Sequence, residues 1–259
     1  MSANVVGTRV GSKVGARRDS NPDPNFPETA AHVLLLTGIT PSSLYLCRET
    51  SGNLADSVGA ANLTAIGTPV FQYQTDQRNG VWYDGAADAH NANVNDLAAA
   101  SGLYAAAFRI VNAPGVGPQG IIGRTNATAQ GVFLYTTDSV NYPQALFKDA
   151  TPNTLGIQDV NVDIRNRTDI MLGVIQVDRT AAIGRARISR WGGLLTEFSG
   201  SIAGFATFTA GGQTFGFGAG AGAVLIGGAA VAWAMVATGA QCEGAGVPQA
   251  IARGLGWES

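Results

Sequence analysis

From His32 onward, short apolar or alternating runs are separated by Gly, Asn, Asp and Pro, and no stretch holds a period of 3.6 long enough for a long amphipathic helix. Runs bounded by turn formers predict strands at His32 to Leu36, Leu44 to Cys47, Gly80 to Tyr83, Leu103 to Val111, Gly120 to Arg124, Val132 to Thr136 and Gln144 to Lys148. Further strands are predicted at Asp169 to Val177, Ala186 to Trp191, Gly204 to Thr209, Ala223 to Gly227 and Ala230 to Val236. Leu103 to Val111 and Asp169 to Val177 are long and mostly apolar, which places them centrally in a sheet. Pro248 to Leu255 is predicted as a short helix, and the whole reads as one all-β sandwich.

The first thirty residues have a different texture. Val6 to Arg9, Val10 to Lys13 and Val14 to Arg17 are three copies of V-G-x-(Arg/Lys), followed by Arg18 and a proline-rich linker, NPDPNFPE. In an extended chain side chains alternate faces, so a four-residue repeat sets Arg9, Lys13 and Arg17 on one face. Such an arm suits an acidic groove on an assembly, and Arg9, Lys13, Arg17 and Arg18 are its candidate contacts; a solvated tail is the competing reading. The division expected is an arm and linker over 1–30 and a sandwich over 31–259.

Composition narrows the partners. Hydrophobic residues make up 46% of the chain and charged residues 13%, enough to build a core and too little charge for a disordered segment. A net charge of -2 supplies no basic field over the sandwich, so no specific nucleic-acid partner is expected. Cys47 and Cys242 lie far apart, form no CxxC motif, and are expected as two separate buried thiols. The N-terminus has no apolar run of the kind a secretory signal requires, so synthesis in the cytoplasm is expected. Phe198 to Cys242 contains no Asp, Glu, Lys or Arg, but its Gly/Ala-rich composition favours two buried strands over a membrane span. Any part of it left exposed would suit packing against copies of the same chain.

Several segments, in order, resemble the laminin-G-like branch of the concanavalin A-like lectin/glucanase superfamily. They are Gly80-Val81-Trp82-Tyr83-Asp84-Gly85, Leu103 to Arg109, Gly120-Ile121-Ile122-Gly123-Arg124, Gly131 to Tyr135, the hairpin from Gly173 through Val177-Asp178-Arg179 to Trp191, and Leu225-Ile226-Gly227-Gly228 with Val231 to Val236. Ile251 to Trp257 stands where that family has a terminal helix. The match spans about residues 32 to 257. It implies an antiparallel two-sheet jelly-roll sandwich, to which the extended basic arm is appended.

Glucanases of that superfamily carry alternating acidic residues on one strand, so that two carboxylates flank a glycosidic bond. Here Glu28, Glu49, Glu197, Glu243 and Glu258 are isolated in sequence, no Gly-x-Ser-x-Gly elbow occurs, and the histidines are His32 and His90, so no catalytic residue is assigned and the chain is read as a non-enzyme. His32 is expected to start a strand and His90, within DGAADAHNANVND, to face solvent in a turn. The same loop holds Asp84, Asp88, Asn91, Asn93, Asn95 and Asp96, an oxygen-rich set that calcium accepts, although ordinary turns share this composition and the spacing fits no EF-hand; no metal ligand is assigned. Asp159, Asp163 and Asp169, interleaved with Arg165 and Arg167, are expected as surface ion pairs. Among the aromatics, most of which belong to a core, Trp82 beside the loop is the candidate ligand platform, giving a ligand set of Trp82, Asp84, Asp88, Asn91 and Asn93.

Two functions follow. A jelly roll of a type displayed outside cells, with no export signal and a basic arm, suits a bacteriophage virion component, such as a capsid decoration, tail or fibre protein contacting other virion proteins and copies of itself. The same fold suits a carbohydrate-binding lectin or adhesin module directed at cell-surface glycans.

Overall fold

A computed structural model of the chain describes residues 26–259 except 75–78, 84–87, 93–100, 111–118, 126–130, 137–141, 150, 152, 165–168, 207, 209–213, 219–225 and 228. The assembly arm, with Arg9, Lys13, Arg17 and Arg18, lies outside the described residues, as do Asp84, Asn93, Arg165 and Arg167. Two sheets of eight strands face each other. In the first, strand order runs β13 (Gly193–Ser201), β12 (Ile183–Arg190), β11 (Met171–Asp178), β6 (Gly102–Ile110), β16 (Ala229–Thr238), β4 (Asn79–Trp82), β3 (Val70–Gln74), with β1 (Ser43–Tyr45) also paired to β16. In the second, the order is β10 (Thr154–Gln158), β9 (Pro143–Lys148), β8 (Gly131–Thr136), β7 (Gln119–Thr125), β14 (Thr214–Gly218), β5 (Ala89–Ala92), β2 (Thr64–Ile66), with β15 (Ile226–Gly227) on β7. Every described pairing is antiparallel except β15 with β7. The fold is the two-sheet antiparallel β-sandwich expected.

The central position of β6 and β11 is as expected, and their composition explains it. On β6, Tyr104, Ala106 and Phe108 point between the sheets, where they meet Ile175, Leu134 and Phe147. Leu103, Ala105 and Ala107 point the other way, into a second core with Leu172, Val174, Trp233 and Met235. That outer face is covered by two short helices, α1 (Ala30–Thr37) and α2 (Val247–Gly254), which contribute Val33, Ile251 and Ala252. A strand buried on both faces has no reason to alternate, which is why β6, β11 and β16 are apolar almost throughout. α2 is the terminal helix predicted from the sequence, with Pro248 in its first turn.

Four expectations are corrected. His32 to Leu36 lies within α1 and not in a strand: the Thr29 side chain accepts from the His32 N–H, and Gly38, at φ 74°, ends the helix in the left-handed region. Of the strand expected over Gly204 to Thr209, residues 204–206 and 208 are described and are not strand: Ala203 and Gly204 form a turn, the Phe205 and Ala206 carbonyls accept from Arg179, and the Ala206 N–H donates to Asp149. Strand β13 instead precedes them, and β2, β3, β5, β10, β13 and β14 are strands for which the apolar pattern gave no signal. The third concerns His90, which is fully buried on β5. Asp159 is the fourth, since its carboxylate accepts from the Thr196 hydroxyl and the Asn161 N–H in place of a surface ion pair. Cys47 and Cys242 are two separate buried thiols that form no disulfide with each other, as expected. No helix among the described residues is long and apolar enough to cross a membrane.

Phe26 to Thr29 are already part of the sandwich. Phe26 meets Trp257 edge to face at 6.2 Å, and the Pro27 carbonyl accepts from the buried Trp233 Nε1 at 3.0 Å. The folded unit therefore begins no later than Phe26.

Candidate functional site

Where residues 26–28 cross the β3–β4 edge of the first sheet, an open groove of about 400 Å³ is lined by Phe26, Glu28, Arg48, Gln72 and Asn79. Its floor depends on a bulge. Between Val70 and Tyr73 the register of β3 against β4 shifts, and Gln72 takes φ 54°, a left-handed conformation that a non-glycine residue adopts only when its surroundings hold it. The restraint is visible: Gln72 Nε2 donates to the carbonyls of Arg48 and Glu49 at 2.9 and 3.1 Å, and Gln72 Oε1 accepts from Asn79 Nδ2 at 3.0 Å. Arg48 pairs with Glu28 across the rim, and both side chains are about half exposed. The groove thus joins an aromatic ring, a paired guanidinium and carboxylate, and two carboxamides, a mixed donor and acceptor lining suited to a neutral, polyhydroxylated ligand.

Next to it, on the outer face of the same sheet, stands Trp82. Its ring centroid lies 5.0 Å from that of Tyr73, and the ring is partly exposed. The register sets Trp82 opposite Ala230 and Ala230 opposite Arg109, so the three form one row across β4, β16 and β6.

Of the other members of the predicted ligand set, Asp88 and Asn91 are among the described residues and Asp84 and Asn93 are not. Asp88 is buried, its Oδ1 accepting from the Thr68 N–H at 2.8 Å, which ties the segment before β3 to the start of β5. Asn91 lies on β5 in the second sheet, paired with Thr64 and Gly216, and is partly exposed. Among the described residues no three His, Cys, Asp or Glu side chains form a metal cluster.

His90 and the buried carboxylates are committed to the fold. His90 Nε2 faces the Gly52 carbonyl at 2.8 Å, so it carries the proton, and Nδ1 accepts from the Tyr83 hydroxyl at 3.2 Å. Burial holds the imidazole below its ordinary pKa, against the opposing pull of the Gly52 carbonyl and Glu49. Burial likewise pushes the Tyr83 phenol well up. On the outer face of the first sheet, Arg187 is bound by Glu258 at 2.6 Å and by Glu197. Glu258 also accepts from Ser189, so the guanidinium stands between the two glutamates. Burial would raise the Glu258 pKa, but the hydrogen bonds from Arg187 and Ser189 with the charges of Arg187 and Arg253 bring it below the ordinary value. Asp178 is held low in the same way: burial is outweighed by the N–H groups of Ala181 and Gly244 and by Arg185 at 3.1 Å. A carboxylate fixed ionised by arginine has neither the proton of a general acid nor the free lone pair of a nucleophile. Glu197 and Glu258 stand isolated in sequence, because their shared partner Arg187 reaches them only through strand register and the packing of the chain after α2.

No family model matches the chain, and no curated protein matches it in sequence. Solved structures do match in fold. The binding domain of Paraclostridial Mosquitocidal Protein 1 superposes with a TM-score of 0.61 at 12% identity, over 85% of this chain and 52% of that one. The receptor binding domain of botulinum neurotoxin C/D mosaic serotype gives 0.59 at 10% identity, over 83% and 50%. The botulinum neurotoxin serotype D ligand binding domain in complex with N-acetylneuraminic acid gives 0.57 at 11% identity, over 79% and 49%. The chain spans about half the length of these domains, and at such identity the likeness is one of fold.

Proposed function

We propose that this chain is a non-enzymatic, concanavalin A-like binding module that recognises carbohydrate. The observation that carries this is the groove at the β3–β4 edge, where Phe26, the Arg48 and Glu28 pair, and the carboxamides of Gln72 and Asn79 line about 400 Å³ of open space. Alternating hydroxyl donors and acceptors on a sugar match such a lining, and a strained bulge held by three hydrogen bonds keeps it in shape. The fold shared with domains described as binding or receptor binding supports the same reading. The module is proposed to work without a cofactor, since Asp88 of the oxygen-rich loop already spends Oδ1 on Thr68.

The test is a glycan panel followed by calorimetric titration of the full chain. Arg48→Ala and Asn79→Ala should each weaken the best ligand about tenfold, the loss of a hydrogen bond to a charged or polar group. A panel with no ligand, or variants that bind like the parent, would overturn the reading.

A second reading concerns display. The threefold V-G-x-(Arg/Lys) repeat ahead of the sandwich favours attachment to a larger assembly, proposed to be a virion, with Arg9, Lys13, Arg17 and Arg18 as contacts. Co-sedimentation with phage-like particles from the same source should occur with the full chain and fail without residues 1–25; equal behaviour of both would reject it.

A further inference from the structure

We propose that Glu28 sets the specificity of the groove at the β3–β4 edge, engaging the Arg48 guanidinium against anions so that the site takes a neutral saccharide. The charged groups in the described lining are Glu28 and Arg48, and they are bound to each other. Their side chains are 54% and 51% exposed, so both stand in the open space of the groove and not in the core. Gln72 and Asn79, joined at 3.0 Å, add uncharged carboxamides beside them.

Both charges are stationed by backbone that is fixed on either side. Around Glu28, the Phe26 ring meets Trp257, the buried Pro27 offers its carbonyl to Trp233 Nε1 at 3.0 Å, and Thr29 caps α1 through the His32 N–H. Before Arg48, Cys47 is buried at φ 52°, and the Arg48 carbonyl itself accepts from Gln72 Nε2 at 2.9 Å. An exposed ion pair adds little to stability, so the consequence of this pair lies in binding. A carboxylate delivered by anchored backbone acts at an effective concentration of about millimolar or higher, and a ligand anion has to displace it. An anionic sugar would also meet Glu28 as a like charge. A neutral sugar needs no such exchange. A carboxylate has about four lone-pair sites and a guanidinium has five N–H donors, so the bond between them leaves each able to bond a hydroxyl.

The neutral-saccharide identity rests on the carbohydrate reading; the hold of Glu28 on Arg48 against anions does not. The full chain and its variants, each shown by thermal melts to fold, are titrated with methyl glucoside, methyl glucuronide and inorganic sulfate. The parent is expected to bind the glucoside about tenfold more tightly than the uronide. Glu28→Gln should raise uronide affinity about tenfold and create a sulfate site, read in the amide resonances around Arg48, while glucoside affinity does not rise. Glu28→Gln combined with Arg48→Gln should lose both gains, which a merely structural role for Glu28 would not require. If no sugar binds, yet sulfate binds folded Glu28→Gln and neither the parent nor the double variant, the Glu28 control of Arg48 stands and the carbohydrate reading falls. A folded Glu28→Gln that takes uronide and sulfate no better than the parent would overturn the proposal, as would a parent that binds uronide as well as glucoside; glucoside binding to the parent would then leave the groove reading intact.

Discussion

The Tyr83 hydroxyl donates to Nδ1 of His90 at 3.2 Å, inside the core, while His90 Nε2 donates to the Gly52 carbonyl at 2.8 Å. These two bonds join the end of β4 in the first sheet to β5 in the second and to the loop around Gly52, with Phe71 edge to face on the imidazole at 5.5 Å. Tyr83→Phe leaves a buried ring nitrogen without its donor, and is expected to lower stability by about 1–3 kcal/mol in a denaturant titration.

The same pair predicts acid sensitivity. Because burial depresses the folded-state pKa of His90 below 6.5, the unfolded chain takes up a proton in a range where the folded chain does not. The contribution is fully present above pH 6.5 and is lost as pH falls through that value toward the folded pKa. Melting temperature should therefore decline between pH 7 and 5, and His90→Gln should flatten that decline.

Glu258 predicts a second, lower window. Its folded pKa is depressed, so its contribution is present above the ordinary glutamate value of 4.5 and is lost as pH falls through the folded value. At neutral pH, Arg187→Met leaves buried Glu258 unpaired and is expected to cost about 3 kcal/mol or more. The double variant Arg187→Met with Glu258→Leu should recover part of that loss, as a denaturant midpoint would show.

Removal of residues 1–30 should lower the melting temperature below that of a chain lacking residues 1–25, because it also takes away the Phe26 ring on Trp257, the Pro27 acceptor for Trp233 and the Thr29 cap of α1. A cap alone is worth about 1 kcal/mol.

Gly216 on β14 lies against β5 with no room for a side chain: a Cβ there would sit 2.0 Å from the His90 carbonyl oxygen and 2.9 Å from the Asn91 Cα. Since the obstruction is backbone, relief requires separating the strands, and Gly216→Ala is expected to lose about 3 kcal/mol in chemical unfolding. The Phe71 contact with His90 should loosen with it, seen as earlier exposure of that core to hydrogen exchange.

Some of this molecule was legible in its sequence. The apolar runs of β6, β11 and β16, the turn formers between strands and the lack of helical period determine a sandwich with those strands at its centre, because a strand buried on both faces must be apolar on both. The half-exposed edge strands β10 and β13 carry too few apolar residues to announce themselves. AAHVLLLT has no period that separates a helix from a strand, and its state was decided by Thr29, Gly38 and the close approach of Gly254 to the Leu36 carbonyl. The functional surfaces belong almost wholly to tertiary structure. His90 sits in a polar stretch yet becomes core because Tyr83 and Gly52 supply its partners, and Glu28 meets Arg48 only because the segment ahead of α1 is held on Trp233 and Trp257. Burial of an apolar strand follows from its own composition, whereas a polar residue's role depends on which partners the fold brings within hydrogen-bonding distance.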